Sequence, residues 1–177
     1  GVNDFFIVDS GTQLIFDNTA TTSADITGDA NDNTLIIEGN VSGNVDLGGD
    51  DDVMTIDLDT ASFTGTASGG AHTTVPDGDV LNLITAGTTN QTVDTDNFTQ
   101  FGILNLDGDV DFTVDGNDPD FHTANLISGA DMIIPTTAAL TLDIIGQVED
   151  NDVFVNGDLT GDIDLAGGVD TLTIDFS

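Results

Sequence analysis

The sequence predicts an all-β protein, a parallel β-helix (β-solenoid) of about eight coils. Three observations lead to this prediction: apolar and polar residues alternate over short segments, one block recurs 118 residues later, and a shorter unit recurs every 21 residues. One coil of such a solenoid has about 20 residues and cannot bury its apolar side alone, so neighbouring coils must stack. An antiparallel β-sandwich is the alternative, because it is also built from short strands and tight turns.

Period-two alternation predicts strands along the whole chain. Each segment places apolar side chains on one side and Thr, Asp or Asn on the other, and Gly, Asp or Asn residues bound it. Gly and Asp are poor helix formers, and no segment shows a convincing helical period. In chain order, the predicted inward residues are Leu35, Ile37, Met54, Ile56, Leu58, Leu81, Leu83, Leu104, Leu106, Phe112, Val114, Leu140, Leu142, Ile144, Leu172, Ile174 and Phe176.

The long repeat aligns residues 33–47 with residues 151–165 at a constant offset of 118 residues. Identical glycines stand between matching apolar positions, so a chance match is a poor explanation. Gly39 and Gly43 in the first copy correspond to Gly157 and Gly161 in the second.

The shorter repeat places Ile26 opposite Leu47 and Leu35 opposite Ile56, an offset of 21 residues. In each copy a Gly/Asp turn enters an alternating strand, as expected for one coil of a solenoid. We therefore expect a single β-solenoid domain over residues 1–177. An irregular, loop-rich region at about 61–99 keeps the period poorly.

The chain has no Lys and no Arg against 33 acidic residues, which gives a formal net charge of −33. Only Glu38 and Glu149 are Glu, so 31 of the acidic residues are Asp. Each carboxylate must face water, accept hydrogen bonds or bind a cation from the medium. Such a surface repels nucleic acid and anionic membranes, and no apolar run approaches the roughly 20 residues of a membrane span. We expect no nucleic-acid partner and no membrane insertion.

Two clusters of Asp are the candidate metal ligands, since calcium takes several hard oxygen ligands and prefers carboxylates. The first is Asp50, Asp51 and Asp52, and the second is Asp107, Asp109 and Asp111. Calcium is accordingly the candidate cofactor. The alternative is that these residues are solvated turn positions, because Asp favours turns through hydrogen bonds to its own backbone.

Catalysis and zinc binding are not expected. Pairs of carboxylates, as used in glycoside hydrolysis, occur throughout the chain and so indicate nothing specific. The Ser and Thr residues have no His and Asp placed to activate them as nucleophiles. Zinc usually takes several His or Cys ligands, and His72 and His122 are too few to indicate a zinc site. We expect that the protein is not an enzyme.

The segments from Asn40 to Leu58 and from Leu159 to Asp175 resemble repeats of bacterial autotransporter passengers and of repeat-rich surface adhesins. Those families form parallel β-helices outside the cell. The turns that begin at Gly48 and Gly167 are similar, in degenerate form, to the Gly-Gly-x-Gly-x-Asp turns of calcium-binding RTX proteins. The resemblance implies a secreted or cell-surface location.

The expected function is an extracellular structural role as an adhesin stalk, surface-layer subunit or filament subunit. We expect cation-dependent self-assembly, head to tail or by strand exchange, because the first strand (Phe5 to Val8) and the last (Leu172 to Phe176) have no obvious polar cap. The alternative is a calcium- or carbohydrate-binding recognition module of a larger adhesin, with glycans or a host or neighbouring cell surface as partner. Sites on the loops between Ala61 and Thr99 would favour that alternative.

Overall fold

A computed structural model describes residues 5–9, 12–71, 78–117 and 120–175, which form a parallel β-solenoid of eight coils. Every strand pair in these ranges is parallel. The solenoid prediction is therefore confirmed, and the antiparallel sandwich is wrong.

The strands are short because each coil turns sharply between them. In chain order they are β1 (Phe5–Ile7), β2 (Gln13–Phe16), β3 (Thr21–Thr22), β4 (Asp25–Thr27), β5 (Thr34–Ile37), β6 (Asn40–Val41), β7 (Val45–Asp46), β8 (Val53–Asp57), β9 (Ser62–Phe63), β10 (Ala67–Ser68), β11 (Val80–Ile84), β12 (Gln91–Asp94), β13 (Phe98–Thr99), β14 (Ile103–Asp107), β15 (Asp111–Asp115), β16 (Thr123–Ile127), β17 (Asp131–Ile134), β18 (Ala139–Thr141), β19 (Asp143–Ile145), β20 (Asp152–Val155), β21 (Asp158–Thr160), β22 (Ile163–Asp164) and β23 (Thr171–Ile174). Among the described residues, the one helical element is a 3-10 turn at Thr95–Asn97.

The coils pass three faces in a fixed order. The first face holds the sheet β1-β4-β7-β10-β13 and the pair β18-β21. The second face takes one strand from each of the eight coils, in the order β2-β5-β8-β11-β14-β16-β19-β22. The third face is divided into β3-β6-β9 and β12-β15-β17-β20-β23.

The core is a column of apolar side chains along the solenoid axis. Leu35, Met54, Leu81 and Leu104 occupy one register position on four successive strands of the second face, and each is fully buried. Burial alternates with exposure along these strands, as the sequence pattern predicted. Because removing apolar surface from water is worth about 25 cal/mol per Å², stacking of coils is what stabilises the chain.

Outside the core, three asparagines form a ladder across the second face. The Asn125 amide donates to Asn105 Oδ1 and the Asn105 amide donates to Asn82 Oδ1, each at 2.7 Å. The Asn82 amide then donates to Thr55 Oγ1 at 3.1 Å. This ladder adds side-chain hydrogen bonds to the coil-to-coil stacking.

The predicted 21-residue register is wrong for the coils on which it was based. Ile26 pairs with Val45 and Leu35 pairs with Met54, so the offset there is 19 residues. Side chains alternate with a period of two, so a shift of two residues keeps the same residues facing inward. Hydrophobic pattern alone cannot distinguish the two alignments.

The long repeat is confirmed strand by strand, although its two copies lie on different faces. We call residues 33–58 the first block and residues 151–175 the second block. Strands β5, β6, β7 and β8 correspond to β20, β21, β22 and β23 at the offset of 118 residues. However, β5 belongs to the second face and β20 to the third. The second block therefore lies five coils and one face further along the solenoid.

The shared glycines lie where neighbouring coils approach each other closely. A Cβ atom at Gly43 would lie 1.9 Å from the carbonyl oxygen of Ala24, and one at Gly161 would lie 1.9 Å from that of Leu142. Any side chain would push the coils apart, which explains why glycine stands at both positions.

Candidate functional sites

The first predicted calcium cluster is split between the surface and the core. Asp50 is exposed in a left-handed turn with φ of 70°, and Asp51 is exposed beside Gly78. Asp52 is fully buried at the start of β8, where its Oδ1 accepts a hydrogen bond from the Asn33 amide at 2.6 Å. These three carboxylates therefore do not point at one common site.

The second predicted cluster is also divided. Asp107 ends β14 on the second face, whereas Asp111 begins β15 on the third. Asp111 accepts a hydrogen bond from the Asn90 side chain at 2.6 Å, and it lies level with Asp131 on the next strand. Asp109 is exposed in the intervening turn.

Within the described ranges, no group of three or more His, Asp or Glu side chains is arranged to hold a metal ion. Calcium binding by these six residues stays a prediction. His72 lies outside the described residues, and His122 is half-buried, with its backbone amide bonded to the Gly102 carbonyl.

Many Asp side chains instead bind the backbone of a neighbouring coil. Their carboxylates accept hydrogen bonds from amides about one coil away in sequence, at 2.6–3.4 Å. The residues that do so are Asp25, Asp32, Asp52, Asp59, Asp79, Asp96, Asp120, Asp131, Asp143, Asp150, Asp152 and Asp170.

This role explains the strong preference for Asp over Glu. These carboxylates give acceptors to backbone amides at the corners between strands, and for the buried amides of Asn33 and Asp52 an unpaired state would be costly. A short carboxylate on the next coil reaches such an amide directly. The sequence analysis did not predict these coil-to-coil hydrogen bonds, although Asp residues that recur about one coil apart indicated them.

A second group of Asp residues fits the turn interpretation. Asp17, Asp29 and Asp46 each accept a hydrogen bond from the backbone amide two residues further on. Asp57, Asp94 and Asp164 do the same. These contacts are the Asx turns that fix the direction of the chain between strands.

Two carboxyls show how local donors and burial oppose each other. The Thr85 hydroxyl and the Ala86 and Gly87 amides all donate to Asp59, and these hydrogen bonds lower the pKa of its carboxyl. Burial raises the pKa of the Asp131 carboxyl, and the negative charges of nearby Asp residues act in the same direction. Asp59 is therefore a well-satisfied anion, whereas Asp131 is ionised at a cost.

A buried polar column crosses the middle of the solenoid. Asn33, Asp52 and Asp79 lie on coils 2, 3 and 4, and all three are fully buried. The Asp52 amide donates to Asp79 Oδ1 at 2.6 Å, and the Asn33 side chain donates to the Leu47 carbonyl at 3.1 Å. The backbone amides of Asn33 and Asp52 thus give each buried carboxyl a hydrogen bond, which offsets part of the cost of removing it from water.

The two terminal coils expose apolar side chains. Phe5 and Ile7 on β1 are 63% and 67% exposed, while Leu172 and Ile174 on β23 are each 46% exposed. In the first block, Met54 and Ile56 occupy the positions of Leu172 and Ile174 and are 0% and 3% exposed. Each terminal coil pairs with other described strands on one side only.

A cleft interrupts the third face between β9 and β12. Its volume is about 320 Å³, and we call it the third-face cleft. Apolar side chains form its floor and polar ones its rim; the lining residues are Ile56, Leu58, Ala61, Ser62, Phe63, Thr64, Gly65, Leu83, Gln91, Thr92, Val93, Asp94, Asn97 and Phe98. The cleft lies in the region that the sequence marks as irregular.

Comparisons with protein-family models, with curated proteins and with solved structures find no match to this chain. In the described ranges, no helix has the length and apolar character that crossing a membrane requires.

Proposed function

We propose that this protein is a structural component of the cell surface or secreted space, a rod segment of the kind that forms adhesin stalks, surface layers or filaments. The observation that carries the proposal is the exposure of Leu172 and Ile174 on the last coil. The equivalent residues of the first block are covered by the next coil. The last coil thus presents a surface that elsewhere in this molecule is a coil-to-coil interface.

Head-to-tail association of two copies fits the strand directions. All strands run parallel, so the first coil of one copy can continue the sheets of the last coil of another without reversing direction. Strands β1 and β2 would then lie beside β21 and β22. Of the β1 side chains, Phe6 at 39% exposure is opposite the buried Ile26 and would become buried, whereas Phe5 and Ile7 are opposite exposed residues and point outward.

The net charge of −33 opposes such an association. At about 0.15 M salt, charges further apart than roughly 8 Å are largely screened, so added ions should favour contact between ends. We therefore propose that self-assembly depends on cations. Calcium could act in one of two ways, by binding to specific Asp carboxylates or by screening the negative charge as any salt does. The resemblance to autotransporter passengers, surface adhesins and RTX turns supports an extracellular location.

The test is light scattering of the 177-residue chain in EDTA, in CaCl₂ and in NaCl of matched ionic strength. We expect the mass to rise with protein concentration and with salt. A rise in CaCl₂ alone would indicate specific calcium ligands, whereas equal rises would indicate screening and would remove the calcium sites from the proposal.

A pair of variants separates end-to-end contact from general aggregation. Ile174→Asp places a charge in the exposed apolar surface of the last coil, and Thr173→Asp adds the same charge to the outer side of the same strand. We expect Ile174→Asp to abolish assembly and Thr173→Asp to retain it. A chain that stays monomeric at every salt concentration, or variants that behave alike, would refute the proposed assembly.

A further inference from the structure

The third-face cleft arises from a step in the cross-section of the solenoid. Ile56 pairs with Leu83 and Ala67 pairs with Phe98, so both ends of the third side are in register. Between these paired positions the chain advances 11 residues in coil 3 and 15 residues in coil 4. The longer coil bulges outward, and β12 cannot reach β9.

This step leaves one edge of β12 without a partner strand. Residues Gln91–Asp94 pair with β15 on one side, and no described residue forms backbone hydrogen bonds with the other side. Strand β9 pairs only with β6. An internal sheet edge with open donors and acceptors is a template for an added strand.

The cleft below this edge suits one apolar side chain. Phe63 and Phe98 stack with ring centroids 5.9 Å apart, and Leu58 and Val93 complete an apolar floor. Phe63 is half-buried, so its ring is accessible from the cleft. Outward from the floor, Ser62 and Thr92 are exposed and provide a polar rim. An extended peptide alternates its side chains in the same way, one inward and the next outward.

Charge indicates which peptides would bind. The chain carries −33 charges and no Lys or Arg, and Asp94 lies on the rim of the cleft. A second copy of the chain would bring a further −33 charges to the site. A segment with Lys or Arg next to its central residue would be attracted instead.

We propose that the third-face cleft binds an extended peptide segment of another protein, with basic flanks and a central apolar residue. The segment adds to the free edge of β12 as a further strand of the third face. Its central side chain enters the cleft against Phe63, and the basic side chains on either side of it point outward, one of them near Asp94. Main-chain hydrogen bonds give the affinity, and the cleft selects the central side chain.

The test uses the blocked peptide Thr-Lys-Val-Lys-Thr, in which both Lys point outward when Val points inward, and two N-methylated isomers. In an extended strand, alternate amides point to opposite edges, so each isomer carries N-methyl groups on one edge only. The isomers have the same charge and composition, and strand addition uses one edge of the peptide. We expect one isomer to bind at least about tenfold more weakly than the parent in calorimetry, and the other to bind within about threefold.

Location is tested by amide NMR shifts and by one pair of variants. The parent peptide should shift the signals of β9 and β12 and leave those of β19 unchanged. Phe63→Ala should weaken binding at least about fivefold, whereas Phe154→Ala, a half-buried Phe on β20 away from the cleft, should not.

Equal affinities of the two isomers would show electrostatic attraction alone and would overturn the proposal. Shifts outside the cleft would overturn it as well, and so would a neutral oligosaccharide such as cellohexaose binding there in place of the peptide. If Phe63→Ala does not fold, the comparison of isomers on the unmodified chain still decides.

Discussion

The first and second blocks share a local structure but differ in what covers them. Asn33 and Asn151 are both fully buried, and their amides donate to Asp52 and Asp170 respectively. In the first block the donor-to-acceptor distance is 2.6 Å and Asp52 is fully buried; in the second it is 2.9 Å and Asp170 is half-buried. The same residue pattern thus occurs once in the interior of the stack and once at its end.

The two blocks show that the strands and turns of a coil depend on its own sequence, whereas burial of its apolar side chains depends on the next coil. The strands correspond to within one residue, and the contacts of Gly43 and Gly161 with the preceding coil are alike in both blocks. Burial of the inward apolar residues is not, because it requires a following coil. In a solenoid, therefore, local sequence specifies the shape of a coil, and stacking supplies most of its stability.

The largest expected effect is the difference between two identical substitutions, Ile56→Ala and Ile174→Ala. Ile56→Ala removes a buried side chain and should lower the free energy of unfolding by about 2–5 kcal/mol. Ile174→Ala removes a half-exposed one and should cost about 1 kcal/mol in dilute solution. Chemical denaturation measures both.

The protein concentration is the control for this pair. Under conditions that favour assembly, the cost of Ile174→Ala should approach that of Ile56→Ala. Equal costs in dilute EDTA would show that the last coil is already covered in the monomer, and the difference between the blocks would disappear.

A smaller difference is expected for the coil-to-coil carboxylates. Asp52→Ala leaves the Asn33 amide buried without its acceptor and should lower the free energy of unfolding by about 1–3 kcal/mol. Water can reach the partly exposed position of Asp170, so Asp170→Ala should cost less than about 1 kcal/mol. Thermal unfolding followed by circular dichroism compares the two variants.

Asp170→Asn keeps an acceptor oxygen and serves as the matched control, with an expected change within about 0.5 kcal/mol. If Asp170→Ala destabilised the protein as much as Asp52→Ala, stacking of the next coil would not be the reason for the different burial.

The smallest effect concerns the charge pattern of the blocks. Gln13 lies opposite Thr34 of the first block; the corresponding residue beside Asp152 of the second block is Asp131, which accepts a hydrogen bond from the Asp152 amide. Burial raises the pKa of Asp131 in the folded protein, so ionising it opposes folding at neutral pH. Asp131→Asn should raise the free energy of unfolding at pH 7 by about 0.2–1 kcal/mol.

Because the pKa of Asp131 is raised in the folded protein, the stability gained by Asp131→Asn should depend on pH. The penalty exists where the carboxyl is ionised and is lost below the ordinary pKa of Asp, at about 3.9. The gain from Asp131→Asn should therefore vanish near pH 3. An exposed residue of the second block, Asp162, provides the control, because Asp162→Asn should leave stability unchanged at both pH values. A gain that persists at pH 3 would contradict the assigned cause.

Strands were predictable from the sequence because their signal is local. Inward residues such as Leu81, Leu104 and Phe112 follow the period-two pattern and are fully buried. Register was not predictable, since a shift of two residues preserves the pattern, as at Leu35 and Met54. The long repeat succeeded because its glycines are tied to single backbone contacts, which tolerate no shift.

Candidate sites were harder to predict because they depend on contacts between coils. Clusters of Asp in sequence suggested calcium ligands, but a turn sends adjacent residues such as Asp51 and Asp52 in different directions. The third-face cleft itself could not be predicted, because it follows from a change of coil length between paired positions. Only the irregular region at 61–99 indicated where it would lie.

The displacement of the long repeat by one face has a further consequence. Because a block shaped for the second face also fits the third, the rod behaves as a screw whose smallest step is a third of a turn. A duplicated segment therefore need not contain a whole number of turns to be inherited as folded structure. In such an architecture, duplication or deletion of a gene segment can change the length of the rod by a fraction of a coil and still leave the coils stacked in register.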